Sequence, residues 1–324
     1  LAQVGMLRRR ALGPFAELVL GVARDPAMLI YLDSRTKRRL HPNENFAREV
    51  MELFCLGIGN YDEHDVQQVA RCFTGWEVRS GQFRFNPRQH DQGEKQFLGR
   101  RGDYDGADAV RIIVDQPAAG EFIATKLYQY YVADERPTAA LLRPLARHLT
   151  DNEFTIEAGL RRLLTSNLFY SPLAVGRKVR SPVDLAMGLL RSLEATCSLP
   201  ELVDALGPLG HTPFYPPNVK GWEGGRAWIN STTLLGRANL VHRVLNGKAT
   251  RFSGDSLGEF ADRRCPADAE ACVEWLAELL LAAPLCEGSQ ALLKRLADAR
   301  QHDRGRQVAE VVHVMSTLPE FQLA

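Results

Sequence analysis

The sequence predicts an all-α protein: a multi-helical, bundle-like body that carries one small β-hairpin and one long loop rich in Gly, Pro and Trp. Three observations lead there. Apolar residues recur at three- and four-residue spacing along most of the chain, the period of an amphipathic helix. Capping residues stand before several of those runs. Two stretches, Trp76 to about Gly102 and about Gly207 to Asn230, break the pattern in ways a helix does not tolerate.

Taken in order, helices are expected near 13–24, 43–56, 62–73, 106–115, 118–132, 137–149, 155–166, 182–195, 231–246, 268–282, 287–300 and 305–318. Phe15, Leu18, Val19 and Val22 give the first its face. Arg8, Arg9 and Arg10 before it imitate the charged end of an export signal, but Glu17 interrupts the apolar stretch and no small-residue cleavage site follows. The sequence starts at Leu1, so the lack of a leader is no guide to compartment. Asn43 and Asp62 are placed to cap the second and third helices, and Gly57 to stop the second. Ser181 suits a cap with Pro182 in the first turn. Between them, Val78, Ser80-Gly81, Phe83 and Phe85 read as a hairpin around a Ser-Gly turn. The second irregular stretch holds Pro208, Pro213, Pro216 and Pro217 with five glycines, and is too aromatic for a flexible linker. Long ordered loops of this kind often carry function. The polar region 248–268 divides a main helical domain over 1–247 from a C-terminal helical lobe over 248–324 of the same unit.

Composition sets limits. Hydrophobic residues make up 45% and charged residues 24% of 324, which is enough for a self-sufficient core. The formal net charge of +1 supplies no field to recruit nucleic acid, and no apolar run approaches the ~20 residues a spanning helix needs. None of the six cysteines forms a C-x-x-C pair, so a structural zinc site is not expected. Cys55 and Cys72 read as buried hydrophobes. Any disulfide is expected among Cys265, Cys272 and Cys286.

Three motifs carry candidate chemistry. On helix 43–56, Phe46, Val50, Leu53 and Phe54 share one side of a 100° wheel, while Glu44, Asn45, Arg48, Glu49 and Glu52 fill the opposite arc. That is either a solvated face with a Glu44–Arg48 pair, or a polar pocket in which Glu49 and Glu52 share a cation or divide acid and base roles. The arc is expected to turn inward against the hairpin segment 77–95. No His stands at helical ligand spacing, so no metal site is assigned there. The second motif, Asn86 to Lys95, contains His90 and Asp91. It is either a polar turn or the glutamate helix's partner, with Lys95 a substrate contact. The third, Pro216 to Asn230, places Trp222 and Trp228 on the loop with Lys220 and Asn230. The tryptophans form a stacking platform for a sugar ring, or they pin the loop to the body. Phosphate loop, dinucleotide fingerprint, nucleophile elbow and H-E-x-x-H are all absent, which leaves the cofactor unknown.

The run HPNENFAREVMELFCLGIGNYDEHDVQQVARCFTGW resembles the signature of the bacterial DUF1800 family, a domain of unknown function. FRFNPRQHDQGEKQFLG, EFIATKLYQYYV, KVRSPVDLAMGLLRSL, FYPPNVKGWEGGRAWINSTTLLGRANL and the ending STLPEFQLA follow in that family's order. Members typically carry an N-terminal helical region with a Trp-His-rich segment, and nothing like it stands here. The resemblance implies an exported, extracytoplasmic protein, often encoded beside a sulfatase- or alkaline-phosphatase-like protein; it implies no reaction. Three readings stay open. One is a hydrolase or transferase acting on a polysaccharide, with Glu44, Arg48, Glu49, Glu52, His90 and Asp91 as catalytic candidates. The others are a binding or assembly partner of the phosphatase-like protein, docked through the Trp loop, and a non-catalytic carbohydrate-binding protein. The loop 211–230 is expected to fold back toward the glutamate helix or the 86–95 turn.

Overall fold

The computed structural model describes residues 2–32, 41–298 and 303–324. They are overwhelmingly helical, with three two-stranded sheets and no larger one among the described residues. Among the described residues no helix is long and apolar enough to cross a membrane. The chain divides into two compact units. The first comprises 1–131 with 135–167, and the second 132–134 with 168–324. Residues 248–324 therefore share a unit with 168–247.

The first unit runs α1 (Ala2–Arg10), α2 (Phe15–Ala23), α3 (Pro26–Tyr31), α4 (Glu44–Glu49), α5 (Glu63–Cys72), β1 (Trp76–Arg79), β2 (Gln82–Phe85), β3 (Lys95–Phe97), β4 (Arg100–Gly102), α6 (Gly106–Val114), α7 (Pro117–Tyr131), α8 (Ala139–Asp151) and α9 (Ile156–Leu164). The caps behave as the sequence predicts. Asn43 Oδ1 accepts from the Phe46 amide at 2.9 Å, and Asp62 forms a reciprocal capping box with Asp65. Ser80 and Gly81, at φ 52° and 72°, turn the antiparallel pair β1–β2 with the mirror-image geometry hairpins favour.

One departure reshapes the glutamate helix. After α4 the chain continues as a π-helical turn, Val50–Cys55, in which the Leu56 amide bonds to the Met51 carbonyl at 2.7 Å. The wider turn shifts the phase of the wheel. Ala47, Met51 and Cys55 become fully buried, while Leu53 and Phe54 are only half-buried. The expectation that Leu53 and Phe54 share the buried side with Phe46 and Val50 fails for that reason.

The second unit runs α10 (Pro182–Ser192), β5 (Ala195–Thr196), α11 (Leu199–Leu206), α12 (Ser231–Asn246), β6 (Arg251–Phe252), α13 (Leu257–Arg264), α14 (Ala269–Leu280), α15 (Glu287–Asp298), α16 (Arg304–Met315) and α17 (Pro319–Gln322). Its core joins Leu185, Leu189, Val241, Phe260, Leu276 and Val312. A Cβ on Gly305 would lie 2.7 Å from the Gly258 amide nitrogen, so α13 and α16 meet through bare backbone, the closest approach two helices can make. All six cysteines are free thiols. Cys55, Cys72, Cys265 and Cys272 are buried, and Cys286 is exposed.

Candidate functional site

The polar arc of the glutamate helix is only partly solvated. Glu44 is exposed in the first turn; Arg48, Glu49 and Glu52 are half-buried. Arg48 pairs with Glu63 of α5 at 2.6 Å, not with Glu44 one turn back, because the fold brings a second carboxylate within reach of the guanidinium. The Tyr61 hydroxyl donates to a Glu52 oxygen at 2.8 Å. Burial, and then the charge of Glu52, raise the Glu49 carboxyl above its ordinary value. Burial and the bond to Glu52 push the Tyr61 phenol up to about 12. Glu49 and Glu52 thus stand three residues apart, the second held by a phenol.

The arc does not turn against the hairpin segment 77–95 as expected. The 44–55 segment packs on α5, α6 and α7, while β1 packs on α3. It is the apolar side of α4 that points toward the hairpin, through an aromatic chain. Phe46 meets Phe73 edge-on at 5.0 Å, Phe73 meets Trp76 at 5.1 Å, and Trp76 meets Phe83 at 5.1 Å. Aromatic burial outweighs what a polar face would gain there.

The 86–95 turn is closed on itself. Asp91 receives two bonds from Arg71, 2.8 and 3.2 Å, and one from the Gly93 amide at 2.8 Å. The Arg71 guanidinium holds the Asp91 carboxyl down to about 2. His90 donates from Nδ1 to the Thr74 carbonyl at 2.8 Å, and its ring lies edge-on to Phe85. Lys95 is fully buried and reaches Asp103 at 2.9 Å. Together these residues clamp the turn to α5. Asp62, His64 and Asp65 could jointly approach a cation, their ligand atoms lying within 4.8 Å of one another. The helix cap accounts for the placement of both aspartates.

In the second unit the long loop is pinned at its base and bare at its tip. His211 stacks on Trp228 with ring centroids 4.8 Å apart and planes 16° apart, and tilts against Trp222 at 4.6 Å. Trp228 is 8% exposed, so its faces are occupied. Burial lowers the His211 imidazole, and its Nδ1 is buried without a partner among the described residues. Asn230 caps α12, accepting from the Thr233 amide at 2.9 Å. Below the loop lies Arg237, fully buried. It donates to the Arg180 carbonyl at 2.7 Å, the Gln322 side chain at 3.1 Å and the Trp228 carbonyl at 3.5 Å. Burial pulls its guanidinium down to about 10. Lys220 is exposed, its amide donating to Asn218. At the tip, Phe214 and Tyr215 are 88% and 79% exposed. Phe214 sits at φ 63°, a left-handed conformation unusual for a bulky residue.

Of the candidate residues, Glu44, Arg48, Glu49, Glu52, His90, Asp91 and Lys95 fall in the first unit, and Lys220, Trp222, Trp228 and Asn230 in the second. Within the first, Arg48, Glu49 and Glu52 are neighbours, and His90, Asp91 and Lys95 form a separate clamp. Sequence reasoning missed Tyr61, His211 and Arg237. The Tyr61 signal was weak, one aromatic before a helix cap. Arg237 carried none, since its burial depends on chain far away. A comparison with known families matches the chain over residues 2–323 to the model described as protein of unknown function (DUF1800). No curated protein and no solved structure matches it.

Proposed function

The chain belongs to the DUF1800 family, and from that premise we propose that it is a binding and assembly partner, docking a protein through the tip of the 211–230 loop. One observation carries the reading: Phe214 and Tyr215 stand almost fully in solvent between Pro213 and Pro216-Pro217, on a base locked by the His211–Trp stack. Exposed aromatics on a stiff support lose little entropy on binding and are the usual anchors of protein interfaces. The tryptophans serve the support. Trp228 has no free face for a sugar ring, which weighs against the platform reading at that residue. The family resemblance supports an extracytoplasmic setting and points to the sulfatase- or alkaline-phosphatase-like protein encoded nearby as the partner. The test is co-elution of the two purified proteins, with and without the double substitution Phe214→Ala, Tyr215→Ala. Loss of at least a hundredfold in affinity is expected if each aromatic contributes the ~2 kcal/mol of an interface hot spot. Undiminished co-elution of the variant sinks the reading.

A second reading rests on Glu49 and Glu52. A carboxyl raised by burial beside a carboxylate held by Tyr61 suits general acid–base cleavage or transfer of a glycosidic bond. Release of reducing ends from polysaccharides, lost in both Glu49→Gln and Glu52→Gln, is its expected signature. Absence of any such release from the intact protein removes it.

A further inference from the structure

A cleft of about 800 Å³ opens in the first unit between α6, α7 and α8, within the range of small-ligand sites. Its apolar lining includes Val114, Ala146 and Phe154, all buried. Its polar wall carries Arg100, Arg143 and Arg147, and against them Asp115, Glu121 and Asp151. No ion pair joins any of these six to one another among the described residues. Arg111, also on the wall, turns out to Asp108. Three arginines and three carboxylates thus line one cleft without pairing with one another.

The backbone shapes one edge of the cleft. Glu153 and Phe154, consecutive residues lining the cleft, both take left-handed φ, 55° and 53°. Such a pair is costly without glycine and persists only where surrounding contacts enforce it. Here the Phe154 amide bonds to the Leu149 carbonyl at 2.8 Å. Its carbonyl accepts from the Phe15 amide at 3.0 Å, and its ring lies 5.6 Å from that of Phe15. The strained turn sets Glu153 on the wall beside Asp151.

We infer that this cleft binds a neutral, polyhydroxylated chain: an oligosaccharide segment. An anion would meet the carboxylates, and a cation the arginines. A ligand without net charge, whose hydroxyls each donate and accept, uses both sets through charge-assisted hydrogen bonds. Its C–H faces would cover the apolar floor. The inference does not depend on the loop tip, which belongs to the other unit.

The experiment is calorimetric titration of the full chain with cellohexaose, chitohexaose and maltohexaose, alongside a sulfated heparin hexasaccharide and spermine. Saturable binding of at least one neutral hexasaccharide is expected, weakened tenfold or more by Glu121→Gln and by Arg147→Gln. Both side chains are exposed, so circular dichroism should stay unchanged. Arg162→Gln, exposed on α9 outside the cleft, should leave binding intact. The inference is overturned if no neutral hexasaccharide binds, if only the heparin fragment or spermine binds, or if binding survives both cleft substitutions.

Discussion

The glutamate helix with its 86–95 turn and the loop 211–230 are the two segments richest in candidate chemistry, and they dispose of it differently. In the first, the charged groups find partners close by. Arg71 takes Asp91, Lys95 takes Asp103, Arg48 takes Glu63 and Tyr61 takes Glu52. In the second, a buried guanidinium donates its hydrogen bonds to neutral oxygens, and two aromatics stand mostly in solvent. The difference teaches where to look. A polar residue satisfied by a neighbour is spoken for as structure, whereas an aromatic left in water at the end of a stiff support is not.

The comparison breaks most sharply at Arg237. Arg237→Ala would leave the Arg180 carbonyl and the Gln322 side-chain oxygen without a donor, the Trp228 carbonyl keeping the Thr233 hydroxyl, and open a void beneath the loop. A loss of about 3–5 kcal/mol is expected, read by chemical denaturation. If the variant is as stable as the parent, Arg237 does not hold the loop's base and the contrast collapses.

A smaller effect comes from Cys265 and Cys272, two buried thiols that influence each other electrostatically. Oxidation by a disulfide such as oxidised glutathione should join them and close a short loop, adding about 2 kcal/mol. The check is resistance of both residues to alkylation until a reductant is added. Ready alkylation of both after oxidation rules the bridge out.

Comparable in size is Asp91→Asn, which removes the clamp's charge. The folded carboxyl sits at about 2, below its unfolded value of ~3.9, so the clamp stabilises above pH ~4 and is lost as pH falls through about 2. The variant should lose about 2 kcal/mol at neutral pH, and the gap to the parent should close between pH 4 and 2. A gap independent of pH in that window would show that the pair contributes shape and not charge.

The smallest effect sharpens the contrast from the other side. Phe214→Ala with Tyr215→Ala should change stability by less than about 0.5 kcal/mol, since neither side chain is packed. A larger loss in thermal unfolding would mean the tip is structural and not a docking surface.

Much was legible before any coordinates. The helical period, the caps at Asn43, Asp62 and Ser181, and the Ser80-Gly81 hairpin are local signals, decided by residues a few positions apart, and they hold. The loop's breakers likewise marked 207–230 as irregular. A second hairpin, β3–β4, was not legible. It turns through Leu98 at φ 47°, a residue no turn rule favours, because the Leu98 amide is held by Asp65, 33 residues earlier. The π-helical turn after Glu49 was equally hidden, and with it the true buried face.

By itself, then, the sequence determined most of the longer helices, several of their caps and two irregular stretches, because those outcomes depend on spacing and capping within a turn or two, but it did not place the short helices Ala2–Arg10, Pro26–Tyr31, Leu199–Leu206, Leu257–Arg264 and Pro319–Gln322. Only the tertiary structure decided which polar residues are consumed. Arg71 finds Asp91 across 20 residues and Arg237 finds Gln322 across 85. The same fold leaves Phe214 and Tyr215 uncovered and holds the cleft charges apart. Those outcomes depend on which surfaces meet when helices pack, and burial energy, not local propensity, selects among the meetings.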